Sequence, residues 1–144
     1  MEISTIGFTQ SSAEHFFGRL RAAGVRRLVD VRLHNVSQLA GFSKGPDLAF
    51  FLREICDAGY EQDLRLAPTD ELLSAYRKGE LDWDAYEQSF QALMLERDIP
   101  GQLQRAAFQT KTALLCSEAE PSRCHRRILA DMLVEAWGGT VQHL

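Results

Sequence analysis

Apolar residues in this chain fall into two patterns: short continuous blocks, and longer stretches in which they recur three and four positions apart. Blocks of the first kind predict strands and stretches of the second predict helices. The opening block, "EISTIG", ends at Gly7 and reads as a strand. In "SSAEHFFGRLRAAG", Phe16, Phe17, Leu20 and Ala23 share one helical face. Ser11 and Glu14 are spaced there as a capping box, with Gly24 as the C-terminal cap. "RRLVDVR" is a second strand whose apolar core, Leu28, Val29 and Val31, is interrupted only by Asp30. The polar loop "LHNVSQLAGFSKG" leads to Pro46, which suits the first turn of a helix reaching about Ala58 and stopped by Gly59.

"YEQDLRL" alternates and predicts a third strand, polar enough for a sheet edge. From Pro68 to Phe108 the pattern is helical in three pieces, broken at Gly79 and at Pro100-Gly101. Asp82 is placed to cap the middle piece, with Leu81 and Tyr86 as a hydrophobic staple. Trp83, Tyr86, Phe90, Leu93 and Met94 share its face, a spacing that predicts core rather than a stacking platform. "TALLC" is apolar almost throughout and predicts the buried centre of a sheet. Pro121 then opens a helix with Leu129, Met132, Leu133 and Ala136 inside; Gly138-Gly139 ends it, and "TVQHL" reads as a last strand. Strands alternating with helices predict an α/β fold. We expect one three-layer domain over residues 1–144, with a mainly parallel sheet of about five strands flanked by helices.

Composition narrows the function classes. Hydrophobic residues make up 45% and charged residues 25% of the 144 residues, which fits a folded globular domain. The formal net charge of -4 argues against a surface given over wholly to nucleic acid, while leaving room for a local basic patch. The N-terminus lacks a basic segment followed by an apolar run, and no apolar stretch approaches the ~20 residues that cross a bilayer. With three cysteines, an odd number, the expectation is a reduced, cytoplasmic setting in which cysteines are free thiols, ligands or redox groups.

In parallel α/β sheets, ligands gather beyond the carboxyl ends of the strands. That rule gathers Thr9, Gln10, Asp30, Arg32, Cys116 and Glu118 on one rim, with Lys44 in the loop after the second strand. Asp30, an acid in an apolar strand, needs a partner, and Arg126 or Arg127 is the candidate. Cys124 falls in the first turn of the helix begun by Pro121, where free N–H groups, Arg123, Arg126 and Arg127 would lower its pKa. With Ile128 four residues on, it reads equally as a small buried hydrophobe. Cys116 ends a buried strand, a position that suits packing and also a nucleophile under an anion-cradling loop. Glu118 and Glu120 in that loop would repel such an anion. The C-x7-C-H spacing of Cys116, Cys124 and His125 matches no familiar zinc pattern, so no metal or other cofactor is expected. A Cys116–Cys124 disulfide is conceivable as a redox switch. His15, His34 and His143 read as surface or packing residues.

"STIGFT" at the start, "LVDVR" in the second strand, "FSK" in the loop after it and "LLCSEAEPSRCHRRILADML" near the end together resemble the DUF488 family of uncharacterised bacterial and archaeal proteins. The resemblance runs in order along essentially the whole chain, and the last motif is the most specific. It implies a compact α/β domain with a shared site built from Asp30, Arg32, Lys44, Cys116, Glu118, Cys124, His125 and Arg126. The family usually opens with a histidine where this chain has Phe8, before Thr9, and carries a Leu-Gly-Gly turn where this chain reads "LRLAP".

Two functions fit these residues. In the first, a thiol-dependent enzyme uses Cys124 as nucleophile or redox thiol, Cys116 as its resolving partner, and Glu118 or His125 as acid or base. Arg32 and Arg126 then hold an anionic small molecule. In the alternative, a non-enzymatic module binds a nucleotide or a nucleic-acid phosphate through Arg32, Lys44, Arg123, Arg126 and Arg127, and the cysteines only pack. Neither involves a membrane.

Overall fold

The computed structural model describes residues 1–36, 41–118 and 121–144. Its central strand is β4 (Thr112–Cys116), every residue of which is buried. That burial explains the apolar run, since helices cover both faces of a parallel sheet. β4 pairs in parallel with β1 (Glu2–Gly7) on one side and β2 (Arg27–Asp30) on the other. β3 (Gly59–Gln62) lies beyond β2, and β5 (Thr140–His143) beyond β1. The order is β3-β2-β4-β1-β5, and every pairing is parallel. The polar third strand is indeed an edge, but it stops at Gln62. Asp63 then caps a 3-10 turn over Leu64–Leu66 by accepting from the Arg65 N–H.

Side chains along a strand alternate between faces, and the two faces build two cores. Ile3, Val29, Leu114 and Cys116 meet α4 (Trp83–Glu96) and α5 (His125–Trp137) through Phe90, Met94, Leu129 and Leu133. Ile6, Leu28, Ala113 and Leu115 meet α1 (Ala13–Ala22) and α2 (Gly45–Phe51) through Phe16, Phe17, Leu20 and Leu48. α3 (Asp70–Arg77) joins the first layer, with Leu72 and Tyr76 packed against it. The expected three layers are therefore present. Among the described residues, no helix is long and apolar enough to cross a membrane.

Three element boundaries differ from the sequence pattern, each for a local reason. α1 is capped by Ser12, whose hydroxyl accepts from His15 N at 3.1 Å, while Ser11 Oγ accepts from Arg19 instead. α2 ends at Phe51 and runs into a single π turn over Leu52–Cys56, which keeps Leu52 and Cys56 buried; left-handed Asp57 then closes it. Pro121 opens only a 3-10 turn (Pro121–Arg123), and α5 begins at His125 with Cys124 as its N-cap. Asp82 does cap the middle helix, accepting from Ala85 N at 2.8 Å.

Two contacts fix the carboxyl end of the sheet. Asp30 is fully buried, and its partner is Arg32 rather than Arg126 or Arg127. Two positions along an extended chain share a face, so the Arg32 guanidinium folds back onto Asp30 as a fork. Its Nε donates to Oδ1 at 2.8 Å and its Nη2 to Oδ2 at 2.7 Å. The Arg32 backbone N–H and the Tyr60 hydroxyl complete the set of donors to Asp30. Arg32 also donates to the Ser43 carbonyl at 2.7 Å, tying down the loop after β2. Burial, with Asp30 as its acceptor, pushes the Tyr60 pKa up to about 12, keeping that hydroxyl a donor.

The second contact is a close approach. A Cβ on Gly7 would stand 1.7 Å from the Glu118 carbonyl oxygen, so the loop after β4 crosses the end of β1 where only glycine leaves room. Thr9 secures that loop, its backbone N–H and hydroxyl both donating to the Ser117 carbonyl at 3.1 and 2.9 Å. Gly7→Ala is therefore expected to cost about 1–3 kcal/mol in urea denaturation, as overpacking does. Asp30→Ala, which strands a buried guanidinium, is expected to cost about 3–5 kcal/mol. Adding Arg32→Leu should recover much of that loss; a further loss in the double variant would contradict this account of the pair.

Candidate functional site

A cavity of about 380 Å³ is lined by the segment after β2, the end of β4, α3, α4 and the start of α5, and Cys116, Cys124 and His125 all lie in its wall. The pleat of β4 turns Cys116 toward the α5 layer. The 3-10 turn then brings the chain back, so that the cap residue and first residue of α5 meet the end of the strand. The Cys116 and Cys124 sulfurs and His125 Nδ1 lie within 4.8 Å of one another. All three cysteines of the chain are free thiols, and Cys56 sits apart in the other core.

The histidine ring is held in one tautomer. His125 Nε2 is 2.7 Å from the Val31 carbonyl oxygen, which can only accept, so Nε2 carries a proton. Nδ1 therefore faces the Cys116 sulfur, 3.7 Å away, ready to take or return the thiol proton. The hydrogen bond from Cys124 holds the Cys116 thiol well below its usual pKa; the positive charge of His125 and the Glu118 backbone N–H act the same way against burial. Cys124 moves in the opposite direction, pushed up by burial and then by its hydrogen bond to Cys116 and that sulfur's negative charge. Burial alone would lower His125, but the charge and hydrogen bond of Cys116, with the bond to Val31, raise it. All three shifts run the same way, favouring negative charge on Cys116, positive charge on His125 and a retained proton on Cys124.

This reverses the expectation that the helix start would activate Cys124. Cys124 is the cap residue, 2% exposed, and faces a sulfur that accepts its hydrogen bond while the proton stays on Cys124. Of the nearby arginines, Arg127 is engaged by Glu87 at 2.9 Å and Asp131 at 3.1 Å, and Arg126 offsets the rise only in part. Two thiols and an imidazole nitrogen are also a donor set that a soft ion such as zinc can use.

The remaining candidates separate into those at the cavity and those that support it. Arg32, Glu118 and Arg123 line it. Asp30 is spent on Arg32, and Thr9 on the loop. Arg126 is fully buried and donates to the Glu118 carbonyl, so it holds the loop's shape. Lys44 stands at the N-cap of α2 and does not line the cavity, and Gln10 is exposed with a left-handed φ of 59°. Phe8, at the position of the family's histidine, is buried beneath the Arg32 guanidinium, 5.1 Å from its ring centre. In the "LRLAP" segment, Pro68 reaches the cavity wall. Glu120 lies outside the described residues.

The pattern along the chain missed one wall. Tyr76, Arg77, Trp83 and Tyr86 line the cavity, as does His34, which is 3.4 Å from Asp70. Trp83 and Tyr86 stack with centroids 5.3 Å apart and planes 27° from parallel, and Tyr76 lies 4.8 Å from Tyr86. Helical spacing marked Trp83 and Tyr86 as core, and Tyr86 is buried. The usable signal was that Tyr76 and Trp83 flank the break at Gly79, where two helix ends meet.

No curated protein and no solved structure matches the chain. The family model described as "Domain of unknown function DUF488" matches residues 12–133, a span that includes β2, β4 and all three residues of the thiol–imidazole cluster. The chain belongs to the DUF488 family.

Proposed function

We propose that this protein is a thiol-dependent enzyme acting on an anionic substrate, with Cys116 as nucleophile and His125 as its acid–base partner. The observation that carries this reading is the placement of His125 Nδ1 against Cys116 while Nε2 is committed to the Val31 carbonyl. A ring fixed in that way has one free task, moving the thiol proton. Cys116 Sγ would attack an electrophilic centre, and the leaving group would depart with the proton that His125 holds. Water, giving a proton to His125, would then release the product and restore the thiolate. Cys124 donates to Cys116 throughout and stabilises its charge, so the roles expected of the two cysteines are exchanged. Arg77 and Arg123 at the cavity supply the attraction for an anion, the charge of Arg32 being taken by Asp30. Those arginines also favour the second reading, a phosphate-binding module in which the thiols are inert.

The test is the rate of alkylation by iodoacetamide against pH, read site by site by mass spectrometry. Cys116 is expected to react as a thiolate at pH 7, with an apparent pKa well below the ordinary ~8.5. Its rate should fall only as acid protonates the thiolate–imidazolium pair. Cys124→Ala and His125→Asn should each move the profile to higher pH, because each removes a group that favours the thiolate. In Cys116→Ser, Cys124 should react only under alkaline conditions. An inert Cys116, or one titrating at the ordinary value, would remove the thiol reading and leave the phosphate module.

A further inference from the structure

The thiol–imidazole cluster also meets the geometric requirements of a metal site. Zinc–sulfur bonds of about 2.3 Å and zinc–nitrogen bonds of about 2.0–2.1 Å, at the tetrahedral angle, set donor edges of about 3.5–3.8 Å. Cys116 Sγ and His125 Nδ1 are 3.7 Å apart, and all three donor atoms lie within 4.8 Å of one another. The widest edge therefore needs no more than about 1 Å of closure. Each donor is also held from behind by a backbone group, as metal ligands usually are. His125 Nε2 donates to the Val31 carbonyl and leaves Nδ1 as the ligand atom. The Glu118 N–H donates to the Cys116 sulfur, and the Arg126 N–H to the Cys124 sulfur. The spacing along the chain looks unlike a zinc motif because the donors converge across the turn from β4 to α5. Neighbouring side chains on a strand point to opposite faces. Here extended Cys124 (φ -141°, ψ 138°) precedes helical His125, and both side chains line the same cavity wall.

We propose that Cys116, Cys124 and His125 bind a zinc ion, and that its binding shuts off the thiol chemistry of Cys116. The second half rests on the thiol-enzyme reading; the binding itself does not. Sulfur and imidazole donors, in a group that holds no carboxylate, select zinc over magnesium or calcium. Two thiolates cancel the charge of the divalent ion and the imidazole is neutral, so the assembled site carries no net charge. That matters because Cys116, Cys124 and His125 are only 5%, 2% and 7% exposed, and an uncompensated ion there would be costly. Protons displaced from the donors pass to solvent. Three protein ligands leave the fourth tetrahedral position to water from the cavity. The electron pair with which Cys116 would attack an electrophile is then the pair that holds the ion, so occupancy withdraws the nucleophile until a chelator removes the metal.

The metal-free chain, kept reduced with a phosphine, is titrated with Zn²⁺ by calorimetry and with Co²⁺ by absorption. One ion per chain is expected, and Co²⁺ should give a thiolate charge-transfer band together with the intense visible bands of four-coordination. Cys116→Ala, Cys124→Ala and His125→Ala should each weaken Zn²⁺ by at least about 100-fold. Cys56→Ala, whose thiol lies in the other core, should bind as the parent does. One equivalent of Zn²⁺ should slow alkylation of Cys116 by iodoacetamide at least about tenfold, and EDTA should restore the rate. A parent chain that binds no Zn²⁺ overturns the proposal, as does a Co²⁺ spectrum without charge transfer or full affinity in Cys116→Ala. Unslowed alkylation of Cys116 in the zinc-loaded chain overturns the block. The two readings fail separately. A metal-free Cys116 inert to iodoacetamide removes the thiol enzyme while the Co²⁺ spectrum still decides the site, and a reactive Cys116 without Zn²⁺ binding removes only the metal.

Discussion

A strand buried on both faces cannot slip, because a shift of one residue would exchange the layers that its side chains meet. β4 is such a strand, paired on both edges and closed to water from Thr112 to Cys116. Its parity decides that the terminal thiol looks toward α5 rather than toward α1. Everything reactive in the site follows from that direction, since the start of α5 returns to the same layer with a second thiol and an imidazole. Had the strand been one residue longer or shorter, Cys116 would have joined Leu115 among the phenylalanines of the other core.

The electrostatic character of the site is likewise set by backbone groups. The Val31 carbonyl at the end of β2 fixes the His125 proton, and the Glu118 N–H in the loop after β4 supports the Cys116 charge. Both come from strand ends, where the ladder has stopped and polar backbone groups are free for other partners. Asp30 and Arg32 hold the end of β2 against the Ser43 carbonyl, while Gly7, Thr9 and Arg126 hold the loop after β4. The ionic groups that looked catalytic in the sequence thus divide: some meet the cavity, and others keep its frame in place.

Much of the fold was legible because its signals are periodic. "TALLC" announced a central strand, the polar alternation near Tyr60 an edge, and Asp82 the start of α4. Partnerships set by backbone direction were not legible. Arg32 folds back on Asp30 because the two share a pleat face, a relation that competed unseen with the arginines of α5. The cysteine cluster was found by residue type, but which sulfur carries the charge depends on who donates to whom, and spacing does not encode that. Tyr76 and Trp83 were hidden because aromatic rings at helical spacing look alike whether they fill a core or line a cavity.

Cys124 occupies the cap position of α5, where serine, threonine, aspartate or asparagine would serve the helix better. Sulfur is a weak acceptor, and an oxygen there would typically strengthen a helix start by on the order of 1 kcal/mol. The position therefore sets fold stability against the retained thiol, and the chain carries the less stabilising atom. Thermostability screens on this protein would be drawn to the oxygen-bearing substitutions at this position, and among them aspartate would gain its stability by replacing the donor to Cys116 with a second negative charge.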